Sequence, residues 1–249
     1  MKQATFSFSV DDGHPLDLRM ADLLLRHELA ATFYVPMRNR EGPPVLQAAQ
    51  LRQLAKDFEI GSHTRDHQFL NQVPADQARR QIVDGKAALE DQLGQAVEGF
   101  CYPGGQYRAL HCRMVQQAGF RYARTTQNLR LDAGERPFEL PASLQFYPHS
   151  RQVLLRNFLC GRHWLKRQAA WRVCATEADW LERLYRLFDH AVQTKSLFHL
   201  WCHSRDIDRL QLWQPLDEFL GLVAHHIPAR RRVDNAALVE QNLVWQGQR

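Results

Sequence analysis

The sequence predicts an α/β fold built around a mainly parallel sheet. Short β-rich runs alternate along the chain with segments of helical spacing, a pattern typical of βα units. The chain has 249 residues, 45% of them hydrophobic, so one barrel-sized domain can bury a full core. No repeat, low-complexity tract or linker divides the sequence, and we therefore expect residues 1–249 to form a single domain. The alternation alone does not distinguish a closed barrel from an open sheet.

Six strands are predicted in chain order: Thr5–Val10, Ala31–Val35, Glu59–Ser62, Gly99–Tyr102, Arg121–Thr125 and Leu197–Cys202. Two segments between them keep helical spacing, the first through Ala78, Ile82, Gly85, Leu89 and Leu93 and the second through Trp180, Leu184, Phe188 and Ala191. We expect the first helix to end at Gly94, because glycine favours helix C-termini. The second follows Thr176-x-x-Asp179, which resembles a capping box.

Two carboxylates and two imidazoles indicate a metal site. Asp11 and Asp12 directly follow the first strand, and His63 and His67 are four residues apart after the third. Imidazoles at i and i+4 lie on the same side of one helical turn, and a carboxylate can complete a set of three ligands. Three protein ligands leave coordination positions open, which is typical of a catalytic metal. The alternative is that Asp12 caps a turn and both histidines lie on an exposed helix or loop.

The positions of the polar residues along the chain favour a functional site. Each of the following lies at or just beyond the C-terminal end of a predicted strand: Asp11-Asp12, His63, Pro103-Gly104 and His203. The βα loops of α/β barrels converge at that end of the strands and form the active site.

Four segments resemble, in order, the motifs of the polysaccharide deacetylases (carbohydrate esterase family four). They are Ser9-Val10-Asp11-Asp12-Gly13, His63-Thr64-Arg65-Asp66-His67, Phe100-Cys101-Tyr102-Pro103-Gly104-Gly105 and Leu197-Phe198-His199-Leu200-Trp201-Cys202-His203-Ser204. The resemblance implies a distorted (β/α) barrel of about seven strands. It also implies a metal-dependent hydrolase that removes the N-acetyl group of a sugar, glycan or glycolipid and releases acetate.

The resemblance implies roles for the matched residues. Asp12, His63 and His67 would bind one divalent transition metal, with Zn²⁺ preferred and Co²⁺, Mn²⁺ or Ni²⁺ able to accept the same set. Asp11 would act as the general base towards an attacking water, and His203 would protonate the leaving amine.

The third motif implies an oxyanion site. The Gly104 N–H would stabilise the developing oxyanion, and Tyr102 and Pro103 would lie against the substrate. His199 is a rival to His203 as the acid, because strand alternation places both on one face. We favour a buried, hydrogen-bonded core role for His199.

Two departures from the family pattern bear on the substrate more than on the reaction. The third motif usually begins with an arginine that orients the base, and Cys101 stands there in this chain. Arg124, at the end of the next predicted strand, could supply the guanidinium to Asp11, or could be a surface residue. The family's fourth motif is not recognisable, and Ala178-Asp179-Trp180 lies inside a helical pattern.

A basic segment suggests a further partner. Residues 140–176 contain no Asp or Glu but include Arg151, Arg156, Arg162, Lys166, Arg167 and Arg172 among many apolar residues. One interpretation is peripheral contact of residues 151–172 with an anionic membrane or a glycolipid. The other, which we favour at this stage, is a helix with an apolar core face and a solvated basic face. The formal net charge of +5 is not accompanied by a nucleic-acid-binding module, so we do not expect nucleic acid as a partner.

Five cysteines without metal spacing and an N-terminus without a signal pattern favour reduced thiols and a cytoplasmic location. Two alternative functions remain. One is hydrolysis of another linear or cyclic amide on the same fold. The other is a non-catalytic binding protein on a decayed deacetylase fold, against which the retention of Asp11, Asp12, His63, His67 and His203 argues.

Overall fold

A curled parallel sheet forms the centre of the molecule. The computed structural model describes residues 3–241, and within them the strands are β1 (Thr5–Asp11), β2 (Thr32–Val35), β3 (Glu59–Ser62), β4 (Gly99–Cys101), β5 (Tyr122–Arg124), β6 (Leu144–Gln145), β7 (Leu197–Cys202) and β8 (Arg232–Val233). Their order is β5-β4-β3-β2-β1-β7-β6, and β8 pairs with the first half of β1. Seven parallel strands form a curled half-barrel, so the predicted distorted (β/α) barrel is confirmed.

Helices pack against this sheet. In the described range they are α1 (Asp17–Arg26), α2 (Ala48–Leu54), α3 (Ala75–Leu93), α4 (Ala109–Gln117), α5 (Arg151–Cys160), α6 (Trp164–Ala175), α7 (Trp180–Gln193), α8 (Ser204–Arg209), α9 (Trp213–His226) and α10 (Asn235–Gln241). Both predicted helices are present as α3 and α7, and α3 ends at Gly94 in the left-handed conformation. None of the helices in residues 3–241 combines the length and the apolar character needed to span a bilayer.

The predicted start of α7 is wrong in one detail. Asp179 is the N-cap, and its carboxylate accepts hydrogen bonds from the N–H groups of Leu181 and Glu182. Thr176 instead follows the last turn of α6. A carboxylate at the N-cap satisfies two free N–H groups by itself, so the longer capping box is not needed.

Alternation along β1 separates the core from the site. The even-numbered residues Phe6, Phe8 and Val10 are fully buried in the apolar core. The odd-numbered residues make polar contacts on the other, concave side of the sheet: Ser7 with Asn235, Ser9 with His199 and Asp11 with Arg124. One strand therefore supplies apolar packing to the helices and polar groups to the interior of the curl.

His199 occupies this interior as a fully buried residue. Its Nδ1 donates to Pro141 O at 2.9 Å, so its Nε2 accepts from Ser9 Oγ at 3.0 Å. Burial, with the neighbouring Arg124 charge, lowers the pKa of His199 to about 3. Both ring nitrogens are thus occupied and the ring is neutral, as the core interpretation predicts.

Candidate metal centre

A left-handed turn after β1 presents the Asp12 carboxylate. Asp12 and Gly13 have φ values of +83° and +60°, and a Cβ on Gly13 would lie 2.7 Å from Val35 Cγ1. A side chain at position 13 would therefore be both strained and in collision with β2. The turn directs Asp12 Oδ1 to 3.2 Å from His67 Nε2 and 3.7 Å from His63 Nε2.

His63 is fixed as a neutral imidazole with one free nitrogen. It directly follows β3, is 1% exposed, and its Nδ1 lies 2.9 Å from Cys101 O. That carbonyl can only accept, so Nδ1 carries the hydrogen and Nε2 keeps a lone pair towards Asp12. Burial lowers the pKa of His63 to about 4, which keeps the ring neutral at physiological pH.

The helical turn predicted for the two histidines is wrong. Residues 63–67 form a loop in which Thr64 and His67 adopt φ values of +64° and +53°. The loop is held on α3, where Arg65 N–H donates to Gln81 O at 2.9 Å. It still brings the imidazoles together, with ring centroids 5.0 Å apart.

Asp12, His63 and His67 fit a metal ion. One ligand atom from each lies within 4.8 Å of the others. Asp12 Oδ1 is buried without a hydrogen-bond partner among the described residues, as expected of a metal ligand. Burial opposes ionisation of this carboxyl, but the imidazoles of His67, His203 and His63 hold its pKa below the ordinary value. One carboxylate oxygen and two imidazole nitrogens suit a divalent transition metal.

A second group with metal-ligand spacing, formed by Asp11, His63 and Cys101, fits less well. Burial raises the pKa of the Cys101 thiol well above its ordinary value, and a metal binds the thiolate rather than the thiol. Asp11 is already engaged by a buried guanidinium, that of Arg124. We therefore assign the metal position to the first group.

Arg124 contacts Asp11, the candidate base. Its Nη2 donates to Asp11 Oδ1, and the two side chains are 0% and 3% exposed. The guanidinium carbon also lies 4.8 Å from the centroid of the Trp201 ring. Cys101 and Arg124 are register partners on β4 and β5, so the arginine stands one strand away from the position that the motif predicts.

His203 follows β7, which in the strand order lies on the other side of β1 from β3, the strand that leads into the histidine loop. Its Nε2 lies 4.0 Å from Asp12 Oδ2, and its Nδ1 lies 3.2 Å from Asp206 Oδ2. Burial disfavours its cation, but the hydrogen bond with Asp206 and the charges of Asp12 and Asp11 outweigh it and raise the pKa of His203.

Sequence reasoning missed Asp206. It lies on the first turn of α8, three residues after His203, so the helix that follows β7 carries it back to the imidazole. The sequence spacing could have indicated this residue. A carboxylate three residues after a candidate catalytic histidine can orient that histidine when a helix begins between the two.

The Pro103–Gly105 turn presents Gly104 to the cleft. Its hydrogen bonds run from Gly105 N–H to Tyr102 O and from Gln106 N–H to Pro103 O, which leaves Gly104 N–H outside them. Gly104 has a φ of +59°, and a Cβ there would lie 3.1 Å from Phe69 Cε1. An amide in this position can serve as an oxyanion donor.

The side chains of Tyr102 and Pro103 do not line the cleft, contrary to our prediction of substrate contact. Both residues are buried. The Tyr102 ring stacks on Tyr107 with centroids 4.4 Å apart, and its hydroxyl donates to Phe138 O at 3.1 Å. Tyr102 packs with Phe100 in the apolar core, two residues earlier along the chain, and Pro103 begins the turn that carries Gly104.

Two cavities lie beside one another near the Gly104 turn, and the smaller one reaches the neighbourhood of His203. A cavity of about 310 Å³ begins at Gly104 and is lined by Gln145 and Trp201, and Gln145 Nε2 lies 3.4 Å from His203 Nδ1. A larger cavity of about 890 Å³ lies next to it and shares Thr126 and Asn128 as wall residues. Together they provide room for a substrate longer than one sugar ring.

Comparison with known sequences gives a family match and one curated relative. Residues 1–123 match the family model described as polysaccharide deacetylase. The relative, "Putative polysaccharide deacetylase YxkH" of Bacillus subtilis (strain 168), is 24% identical over 119 residues. That alignment covers 47% of this chain and 43% of the relative, so less than half of either protein is matched.

Solved structures share the fold. A "putative polysaccharide deacetylase" from Mycobacterium smegmatis superposes with a TM-score of 0.67 over 100% of this chain and 92% of that one, at 17% identity. Puue allantoinase gives 0.65 over 98% and 90%, at 13% identity. Streptococcus pyogenes deacetylase PplD in complex with acetate gives 0.50 over 54% and 62%, at 21% identity. At these identities the similarity is one of fold.

Proposed function

This chain belongs to the polysaccharide deacetylase family, whose model matches its residues 1–123, and we propose that it is a metal-dependent N-deacetylase. The proposed reaction is hydrolysis of the acetamido group of an N-acetylated sugar, glycan or glycolipid, with release of acetate and a free amine. The metal, the substrate and the product are all part of the proposal. The curated relative is matched over only 43% of its length, so its name does not assign them to this chain.

One observation carries the proposal. Five side chains from the ends of three strands meet around a single point: Asp11 and Asp12 at the end of β1, His63 and His67 after β3, and His203 after β7. Residues that merely ended strands at a surface would not be buried against one another in this way.

The chain's residues divide the chemistry among them. Asp12, His63 and His67 would hold a divalent transition metal, preferably Zn²⁺, which when bound activates water and polarises a carbonyl. Asp11, held by Arg124, takes the proton of the attacking water.

The groups on the other side of the substrate complete the reaction. Gly104 N–H donates a hydrogen bond to the oxygen that becomes negatively charged. His203, held by Asp206, delivers a proton to the departing amine. The acid and the base thus stand on different strands, with the substrate carbonyl between them.

Metal content and acetate release test the proposal together. We expect about one transition metal per chain in the wild type and its loss in His63→Ala, together with loss of acetate release from N-acetylglucosamine oligosaccharides. Asp11→Asn is the matched control, because it should keep the metal and lose activity. A wild type that binds no metal after reconstitution, or a His63→Ala variant that keeps both metal and activity, would contradict the mechanism.

Hydrolysis of another linear or cyclic amide is the second candidate. The catalytic set contains no group specific to a sugar, and the fold is shared with an allantoinase. Side-by-side turnover of N-acetylhexosamines, simple amides and cyclic ureides distinguishes the two. A binding protein on a decayed fold is not favoured, because such a protein is expected to have lost at least one of the five side chains. The cytoplasmic location stays a prediction.

A further inference from the structure

Large apolar side chains are exposed at the tip of the hairpin formed by α5 and α6. Seven large apolar residues are exposed in residues 3–241, and four of them lie within this hairpin tip, residues 155–166: Leu155 (42%), Leu159 (70%), Trp164 (56%) and Leu165 (68%). The other three are scattered over α1, α3 and α4. A single exposed leucine is ordinary, but a cluster of this kind marks an interaction surface.

The cluster is not the packing face of the hairpin. Leu154, Ala170 and Cys174 are buried towards the domain, and Phe158 stacks on Trp171 with ring centroids 4.8 Å apart. The helices therefore already have an apolar inner face. Leu155 and Leu159 are separated by four residues on α5 and share its outward side. The interpretation favoured from sequence, a helix with one apolar core face, accounts for only part of the apolar residues.

The same two helices also expose basic side chains. Arg151, Arg156 and Arg172 are exposed and form no ion pair with a carboxylate in the described part of the chain. Arg162 lies 3.8 Å from the partly buried Glu139, and Lys166 forms an ion pair with Glu135. Residues 140–176 contribute no carboxylate of their own, so the surface is positively charged.

A buried arginine holds the hairpin on the domain. Arg167 is 1% exposed, and its guanidinium donates to the carbonyls of Asn128, Asn157 and Phe158 at 2.8–2.9 Å. A Cβ on Gly161 would lie 2.0 Å from Arg167 Nη1 and 2.8 Å from Asn157 O, so glycine lets the tip approach the arginine closely. The tip is therefore presented as a fixed surface rather than as a loose loop.

We propose that the hairpin tip docks this protein on an anionic lipid bilayer. The tryptophan and leucines enter the boundary between headgroups and acyl chains, and the arginines and lysine contact lipid phosphates. A surface that combines exposed apolar side chains with cationic ones matches the surface of an anionic bilayer. An acidic protein partner would pair with the cations but leave the apolar cluster uncovered. This docking proposal does not depend on the proposed reaction.

Docking would also orient the site. Cys160, Gly161, Arg162 and His163 of the hairpin line the cavity of about 890 Å³, which shares walls with the smaller cavity next to His203. A membrane-bound hairpin tip therefore brings one wall of that cavity to the lipid surface. A headgroup-linked sugar would meet the cavity from this side.

Vesicle flotation without substrate tests the docking. We expect the full chain to bind phosphatidylcholine vesicles that contain about 30% phosphatidylglycerol and to bind pure phosphatidylcholine much more weakly. The Leu159→Gln/Leu165→Gln variant should bind the anionic vesicles at least about tenfold more weakly. Leu25→Gln/Val83→Gln changes two exposed apolar residues outside the hairpin and should bind as the wild type does.

A charge variant separates the two contributions. Arg151→Gln/Arg156→Gln removes two unpaired cations and should weaken binding to anionic vesicles by about 25-fold, at roughly fivefold per charge. Its binding to neutral vesicles should not change. Circular dichroism melting curves like that of the wild type show that each variant is folded.

Three outcomes would overturn the docking proposal. The first is equal binding of the wild type to neutral and anionic vesicles. The second is unchanged binding of the Leu159→Gln/Leu165→Gln variant. The third is a wild type that does not bind vesicles and instead self-associates through this hairpin. Light scattering detects the last, because the same variant would then be monomeric. None of these measurements depends on acetate release, so failure of the docking and failure of the proposed reaction are distinguishable.

Discussion

Arg124 of β5 contacts Asp11 of β1, although three strands lie between them in the sheet. The contact is possible because the sheet is curled, so that residues at its edge reach across the concave side. Both side chains are buried, and the pair lies directly beside the turn that presents Asp12, the candidate metal ligand. The candidate base is therefore held by a residue that is distant both in sequence and along the sheet.

Loss of the guanidinium should impair both stability and activity. In Arg124→Met the buried Asp11 carboxylate loses its ion pair with the guanidinium, so we expect a decrease in the free energy of unfolding of about 3–5 kcal/mol. We expect kcat for acetate release to fall by about 100-fold while metal content stays near that of the wild type. Urea unfolding, metal analysis and steady-state kinetics measure the three quantities.

A relocation variant is the control for this pair. Cys101 lies beside Arg124 in the sheet register, and its Sγ is 3.8 Å from Asp11 Oδ2. Cys101→Arg combined with Arg124→Ala returns the guanidinium to the motif position and should recover part of the lost activity. Equal activity of Arg124→Met and the wild type would show that the arginine is only structural.

Asp206 should set the alkaline limit of activity. A general acid works in its protonated form, so activity is present below the pKa of His203 and is lost as the pH rises through it. Asp206 is one of the groups that raise this pKa. Asp206→Asn should therefore move the alkaline limb of the kcat/KM profile to lower pH by about one pH unit.

The matched control keeps the carboxylate and removes its other partner. Arg209 Nη2 donates to Asp206 Oδ1 at 3.0 Å, away from the oxygen that faces His203. Arg209→Gln should leave the alkaline limb in place or move it slightly upward. A profile that is the same in Asp206→Asn and the wild type would remove His203 from the role of acid.

Close approach of α3 to the histidine loop gives a third prediction. A Cβ on Gly85 would lie 2.7 Å from Arg65 N and 2.9 Å from Thr64 C, in the loop between His63 and His67. Alanine is the better helix former by about 1 kcal/mol, so propensity alone predicts a more stable protein. We expect Gly85→Ala instead to displace the loop and to weaken metal affinity by about 10-fold to 100-fold.

Competition with a chelating dye measures that affinity. Val83→Ala is the control, because it also raises helix propensity on α3 but changes an exposed side chain. Its metal affinity should equal that of the wild type. Tight metal binding in Gly85→Ala would mean that the loop can shift without moving the imidazoles.

The sequence predicted the long strands well and the shortest ones not at all. The bounds of β3 and β7 agree with the prediction, because each is a run with clear breaks on both sides. Strands β6 and β8 have two residues each and carry no periodic pattern. Their existence depends on pairing with β7 and β1, which is a tertiary effect.

The site was predictable in its residues and less so in its geometry. Adjacent carboxylates and paired histidines identify Asp12, His63 and His67 as candidate ligands, and the structure brings them together. The helical turn proposed for the histidines was wrong because two left-handed residues and the contacts with α3 determine that loop. The contact of Arg124 with Asp11 depends on the curl of the sheet, which no local pattern encodes.

Glu59 lies at the start of β3, at the end of the sheet away from the candidate site. It leads to a prediction about stability alone. Its carboxyl accepts hydrogen bonds from Tyr122 Oη at 2.6 Å and from Ala236 N–H at 3.0 Å. Burial and the nearby charge of Asp234 raise the pKa of Glu59 from 4.5 to about 7. The folded protein therefore holds a proton that the unfolded chain has already released at neutral pH.

The sign of the pH dependence follows from that difference. The stabilisation is complete below about pH 4.5 and is lost as the pH rises through about 7. The free energy of unfolding should thus fall across this interval by about 2–3 kcal/mol from Glu59 alone. Glu59→Gln cannot titrate, so its decline over the same interval should be smaller by that amount in urea unfolding. Deacetylase activity should be unaffected, because Glu59 lies at the far end of β3 from His63. Parallel stability curves for the variant and the wild type would mean that Glu59 titrates normally in the folded protein.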